Sequence, residues 1–343
     1  MNDYKNIIIS RTDSIGDVVL TLPMIGLIKE YYPNSNIYFL GSDYTKSIID
    51  NCVFIKEFIS WNHVKSLSTE EQIEFISKYN CDVFINVFPN KIISKLAKKA
   101  DIPIRIGTTH RFFHFFTCNK LLNIGRKKSN LHEAQLNIKL LEPLNINIDI
   151  TLDSIKGLYG LSVNENNISE NIKTIINNNI SEIFFNIIIH PKSKGSAREW
   201  GIDNYKSLIE LLPKEKYKIF ITGTEEEGNL IRHELVNFSN VIDLTGKMTL
   251  EDFVYFISKT DALIACSTGP LHIASALGKH ALGIYAPMRP IFPTRWAPIG
   301  INAKYFVKEN ECNKCRKNNN CECIKDINPS EIYNTIKNLN KIN

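Results

Sequence analysis

The sequence predicts an α/β protein built from two doubly wound domains. Three observations lead there. Its 343 residues are about twice the ~150 of a usual domain. Short apolar runs alternate with longer amphipathic stretches, the pattern of parallel strands joined by helices. Several of those runs open into loops crowded with charged, hydroxyl and glycine residues. In an open parallel sheet, ligands bind at such strand ends.

The first series begins with Asn6–Ser10 (NIIIS), a run that suits a strand buried on both faces. After the loop RTDSIGD a helix is expected from Asp17 to Tyr32, stopped by Pro33-Asn34. Ile37–Leu40, Asp82–Val87 and Ile104–Ile106 read as further strands, and Lys91–Ala100 as a helix. The second series starts with Ile183–His190 and continues through strands at Tyr217–Thr222, Val241–Leu244 and Asp261–Cys266. His280–Tyr285 is expected to be the last strand. Helices are expected at Asp203–Leu212, Glu225–Asn237, Thr249–Ser258 with Thr249 as N-cap, and Gly269–Leu277. The expected division is 1–160, a polar Asn-rich linker at 161–182, 183–325, and a C-terminal helix within 326–343 packing back on the first domain.

Composition narrows the class. Hydrophobic residues make up 43% and charged residues 22%, ordinary for a chain with a sizeable core. The net charge of +5 is too small to argue for nucleic acid and agrees with an anionic substrate. No signal peptide is visible and no run approaches the ~20 apolar residues of a membrane span, so a cytoplasmic protein is expected. Four of the eight cysteines crowd together as Cys312, Cys315, Cys321 and Cys323, which in that compartment suggests thiols or metal before structural disulfides.

Four loops hold the chemistry. Arg11–Asp17 lacks the glycine fingerprint of dinucleotide enzymes. Its Asp17 either caps a helix or serves as a general base. His190–Trp200 places Lys192, Lys194 and Arg198 among small residues such as Ser196, as a solvated basic loop or a phosphate cradle. Ser267, Thr268 and Gly269 precede His272 at a strand-to-helix turn whose N–H groups and hydroxyls suit a pyrophosphate, while a lone His also serves structurally. Glu225, Glu226 and Glu227 open a helix, either for its dipole or for ribose hydroxyls.

Taken in order, the segments RTDSIGDVVLTLP, HPKSKGSAREWGIDNY and DLTGKMTLEDFVYFISKTDALIACSTGPLHIASALGKHALGIYAP resemble glycosyltransferase family 9, the ADP-heptose:lipopolysaccharide heptosyltransferases. The resemblance covers roughly residues 5–335. It implies a GT-B fold, two Rossmann-like domains facing across a cleft, with the acceptor on the first and the nucleotide-sugar mostly on the second. It also implies an inverting, metal-independent transfer of heptose to the lipopolysaccharide core, without a cofactor. The family's catalytic aspartate falls on Asp17 and its donor-phosphate cation on Arg198, with Lys192 and Ser196 beside it. The nucleotide loop falls on Thr268, Gly269 and His272, with Ser267 where some members carry Asp, and the ribose position falls on Glu227. A metal-binding Asp-x-Asp motif is absent from the sequence. Rival readings are a family member with another nucleotide-hexose donor, or a non-catalytic nucleotide-sugar binder.

Between Arg105 and Glu133, cations interleave with Phe112, Phe113, Phe115 and Phe116. They suit an acidic lipid-core acceptor or the inner face of the cytoplasmic membrane, or they form an ordinary basic surface. The spacing C-x2-C-x5-C-x-C supplies four sulfurs for a tetrahedral zinc site, or a packing feature common to the family.

Overall fold

The computed structural model of the chain describes residues 4–126, 129–309, 312, 314–315 and 322–342. It divides into two units, one ending at Ser162 and the other beginning at Val163. The first holds strands β1 (Asn6–Ser10), β2 (Asn36–Gly41), β3 (Glu57–Ser60), β4 (Val83–Asn86), β5 (Ile104–Thr108) and β6 (Lys120–Leu122). All pairings are parallel, in the order β3-β2-β1-β4-β5-β6. Ile8 lies between Tyr38 and Phe84 on the neighbouring strands. With Leu40, Ile93 and Leu96, these residues form part of one continuous core.

The helix expected over Asp17–Tyr32 is two helices, Ile15–Val19 and Leu22–Tyr31. Pro23 occupies the first turn of the second, where its missing N–H leaves no bond unmade. That helix lies so close to a neighbouring segment that a Cβ on Gly26 would meet the Leu158 carbonyl oxygen at 2.1 Å. Only glycine permits the approach.

The second unit holds β7 (Phe185–His190), β8 (Tyr217–Ile221), β9 (Val241–Asp243), β10 (Ala262–Cys266), β11 (His280–Tyr285) and β12 (Ala303–Val307). Their order, β12-β11-β10-β7-β8-β9, repeats that of the first unit. The two sheets also begin alike. The Asp82 carboxylate accepts from the Asn6 backbone N–H at 2.9 Å, and Asp261 accepts from Asn186 at 2.6 Å. Each ties the start of the first strand of its unit to the chain entering the fourth. The strand order reverses between β1 and β4 in one unit and between β7 and β10 in the other. Those two switch points are where an open parallel sheet receives its ligands.

Three expectations are corrected here. The stretch 161–182 is no free linker: a helix at Glu170–Asn179, capped by Ser169, packs Ile172 with Ile168 and Tyr255. The Ser169 N–H also donates to Asp252, so the segment belongs to the second unit. The C-terminal helix Pro329–Ile336 packs on the helix Ile202–Leu211, and its Ile332 and Ile336 enter the core of the second unit instead of the first. Finally, β12 follows β11, which was expected to be last. Among the described residues, no helix is long and apolar enough to cross a membrane.

Candidate active site

At the first switch point, the loop after β1 delivers Arg11, Asp13 and Asp17. Arg11 is buried, and its guanidinium organises the surroundings. Nε and Nη2 grip Asp13 as a fork at 2.8 and 3.1 Å, and Nη2 also donates to Asp17 Oδ1. Nη1 reaches Asn137 Oδ1 at 3.1 Å, and Glu133 Oε1 lies 3.3 Å from Nη2. Arg126 meets the same Glu133 oxygen, donates to Asn137 Oδ1 at 3.0 Å, and touches the Val87 carbonyl just past β4 at 3.3 Å. Burial raises the Asp13 carboxyl above its ordinary range, against the pull of Arg11.

Asp17 is not an N-cap. It sits in the first turn of Ile15–Val19, with Ser14 at the cap position. Its Oδ2 accepts from the Ser14 hydroxyl at 2.5 Å, and its side chain keeps 19% of its surface exposed. The result is an oriented carboxylate with one open side. Sequence reasoning quoted Arg11 but gave it no role, and it passed over Asn137. The signal available was the i, i+4 spacing of Glu133 and Asn137, which places both on one helix face.

At the second switch point, the loops after β7 and β10 lie on neighbouring strands. In the first of them, Ser196 N–H donates to the Ser193 carbonyl at 2.9 Å, closing a turn in which Lys194 and Gly195 both have positive φ. Positive φ at both central residues is the mirror-image turn that glycine favours. The Ser196 hydroxyl donates to the same carbonyl at 2.7 Å. Lys192 pairs with Glu199, so its charge is partly neutralised. Arg198 donates from Nη2 to the Cys315 carbonyl at 3.2 Å, while its buried Nε has no partner among the described residues.

After β10, Ser267 lies beside the Tyr285 hydroxyl, which itself donates to the Trp296 carbonyl at 2.5 Å. Thr268, 6% exposed, stands at the N-cap of Gly269–Ala276 without using its hydroxyl as a cap, and Thr268 Oγ1 has no partner among the described residues. The N–H groups of Gly269 and Leu271 stand before the first i→i−4 bond and have no acceptor within the helix, and Pro270 has no N–H. His272 is buried in the same turn. Backbone N–H groups at a helix N-terminus suit a phosphate oxygen.

Of the three acids after β8, Glu225 is bound by Arg232 at 2.6 and 2.7 Å, which holds its carboxyl below the usual range. Glu227 is buried and completes a capping box with Thr224, one carboxylate oxygen accepting the Thr224 N–H at 2.8 Å. Close by, His190 Nδ1 lies 3.0 Å from Thr222 Oγ1, and the ring stacks on Phe253. Burial brings the His190 imidazole down to about 4, against an upward pull from Glu227.

The sulfur donors of Cys312, Cys315 and Cys323 lie within 4.8 Å of one another. Cys315 is disulfide-bonded, contrary to the expectation of free thiols, and Cys321 lies outside the described residues. A tetrathiolate metal site needs four thiolates, and Cys315 in its disulfide does not supply one. The visible role of this segment is mechanical: the Cys315 carbonyl receives Arg198, and the Ile327 carbonyl receives the Trp200 indole at 2.9 Å.

Residues 75–325 match the family described as glycosyltransferase family 9 (heptosyltransferase). A Haemophilus influenzae protein classed as a glycosyltransferase by inference is 27% identical over 312 residues, covering 88% of each chain. The lipopolysaccharide core heptosyltransferase OpsX of the same organism is 22% identical, covering 84% of this chain and 80% of its own. A family 9 glycosyltransferase structure from Veillonella parvula superposes with a TM-score of 0.81 at 20% identity, covering 98% of this chain and 97% of that one. Escherichia coli heptosyltransferase WaaC with ADP gives 0.73 at 15% identity, covering 97% and 99%. The fold is therefore the GT-B fold of these enzymes, and the chain belongs to glycosyltransferase family 9.

Proposed function

We propose that this glycosyltransferase moves heptose from ADP-heptose to a sugar hydroxyl of the lipopolysaccharide core, with inversion and without a metal ion. One observation carries the reading. An oriented carboxylate stands at one switch point, and donors without protein partners stand at the other. In the step proposed, Asp17 takes the proton of the acceptor hydroxyl as its oxygen bonds to the anomeric carbon. The bond from that carbon to the diphosphate breaks, and the electron pair leaves with ADP. Arg198, Thr268 and the N–H groups opening Gly269–Ala276 bind the departing charge, so that no metal ion is needed there. Glu227 keeps one carboxylate oxygen for a ribose hydroxyl, and Lys192, Ser196, Ser267 and His272 shape the donor's surroundings. The names of the relatives support donor and acceptor: OpsX is a lipopolysaccharide core enzyme, and WaaC is described with ADP. Such an acceptor is lipid-borne, and under this reading the protein works at the cytoplasmic face of the inner membrane.

Calorimetric titration of the metal-free protein with ADP, UDP, GDP and CMP tests the donor. ADP is expected to bind at least about ten-fold more tightly than the others, a difference of about 1.4 kcal/mol. Preference for another nucleotide would replace the donor with a different nucleotide-hexose. Binding of none would favour a protein that does not use a nucleotide-sugar at all.

A further inference from the structure

From Lys91 to Lys120 the chain carries seven Lys and Arg against the single Asp101, more than the whole protein's net charge of +5. The structure gathers this charge beside exposed aromatic rings. Asn90 caps the helix Lys91–Lys99 by accepting from the Ile92 and Ile93 N–H groups. Ile93, Leu96 and Ala97 bury one face of that helix, leaving Lys91, Ile92, Lys95, Lys98 and Lys99 exposed. Packed against it is the helical turn His114–Thr117, and Lys98 Nζ donates to the Phe116 carbonyl at 2.9 Å. Around this turn Phe112, Phe115 and Phe116 are 79%, 54% and 61% exposed.

These rings sit on an anchored turn. Buried His114 Nδ1 accepts the Thr108 N–H at 3.0 Å, and burial keeps that imidazole below its ordinary pKa. Arg105 Nε donates to the Thr117 carbonyl at 2.8 Å. A Cβ on Gly107 would strike Cys118 Sγ at 2.7 Å and His114 Nδ1 at 2.8 Å, so the turn closes tightly over β5. Phe112 and Phe116 meet edge to face at 5.2 Å and act as one apolar unit, with no slot between them for a nucleobase. The helix Lys91–Lys99 follows β4 and the aromatic turn follows β5, at the same sheet edge as the Asp17 loop after β1.

We infer that this face docks the protein on an anionic lipid bilayer. The lysines and Arg111 meet lipid phosphates, and the phenylalanines enter the boundary between headgroups and acyl chains. The inference deepens the reading of a lipid-borne acceptor: it names the surface that brings the Asp17 edge to the membrane.

Co-sedimentation of the full-length protein with phosphatidylcholine vesicles, with and without phosphatidylglycerol, tests it. Binding is expected only when phosphatidylglycerol is present. Each lysine near an anionic surface contributes about five-fold. The variant Lys91→Glu/Lys95→Glu/Lys99→Glu should therefore weaken partitioning at least about 100-fold. Phe112→Ser/Phe115→Ser/Phe116→Ser should weaken it at least about ten-fold by removing the apolar part. Lys214→Glu/Lys304→Glu/Lys308→Glu makes the same charge change on exposed lysines of the second unit and should alter binding by less than about two-fold. Thermal unfolding checks that each variant is folded. Any of three results overturns the inference: no binding to anionic vesicles, equal loss in the control variant, or full binding by the phenylalanine variant. Vesicle binding without heptosyl transfer would count against the donor and acceptor reading alone. Transfer to detergent-dispersed acceptor without vesicle binding would count against this surface alone.

Discussion

At the first switch point the protein completes its own electrostatics. Every nitrogen of the Arg11 guanidinium is engaged by Asp13, Asp17, Glu133 or Asn137. At the second, Arg198 Nε and Thr268 Oγ1 are left without partners among the described residues. A general base must be aimed before substrate arrives, so its partners belong to the protein. A group that binds phosphate must exchange water for ligand, so its donors stay unengaged until the ligand comes. The same sheet, used twice, has been finished in opposite ways.

The comparison breaks most visibly at Arg11. Arg11→Met removes a buried cation from between Asp13 and Glu133, leaving Asp13 uncompensated and Glu133 with Arg126 alone. The expected loss is about 3–5 kcal/mol of unfolding free energy, read from a urea titration. A loss below about 1 kcal/mol would mean that Arg126 alone satisfies the cluster.

Asp17→Asn sharpens the comparison on the chemical side. The amide can keep the contact with Arg11 while being unable to take a proton. Turnover should fall by about 10²–10⁴, with ADP affinity and stability nearly unchanged. A variant turning over at the wild-type rate would remove Asp17 from the mechanism.

How much of this was legible depended on sequence distance and burial. β1, β7, β10 and β11 announce themselves because strands covered on both faces read as unbroken apolar runs. β3 (EFIS), β6 (KLL) and β12 (AKYFV) do not, because they are edge strands with half-exposed residues. Loops carrying Asp17, Arg198 and Thr268 could be found as local motifs. The groups that hold them could not: Glu133 lies 122 residues from Arg11, and Cys315 lies 117 from Arg198. Pairings of that range are set by the fold and leave no periodic trace in the chain.

A smaller effect separates the units by pH. In the folded protein His190 takes a proton only near pH 4, whereas in the unfolded chain it does so near 6.5. The unfolded state therefore binds the extra proton first as pH falls. Stability from this residue is complete above about pH 6.5 and declines through the window down to about 4, by about 3 kcal/mol in all. His190→Gln, which can keep a contact to Thr222, should flatten this decline in urea midpoints measured across that window. An unchanged slope would assign the acid sensitivity to other groups.

Thr268→Val carries the smallest expected change and tests the second switch point most directly. Valine matches threonine in shape and removes only the hydroxyl. Because that oxygen has no protein partner, its loss exposes no buried group and should leave stability unchanged or slightly raised. If the hydroxyl serves a donor phosphate, ADP affinity should drop about five- to ten-fold, the worth of one net hydrogen bond of about 1–1.4 kcal/mol. Stability and affinity then move independently, as they should where the ligand completes the site. A loss of stability with unchanged ADP binding would instead make Thr268 a structural residue, and the second switch point would resemble the first.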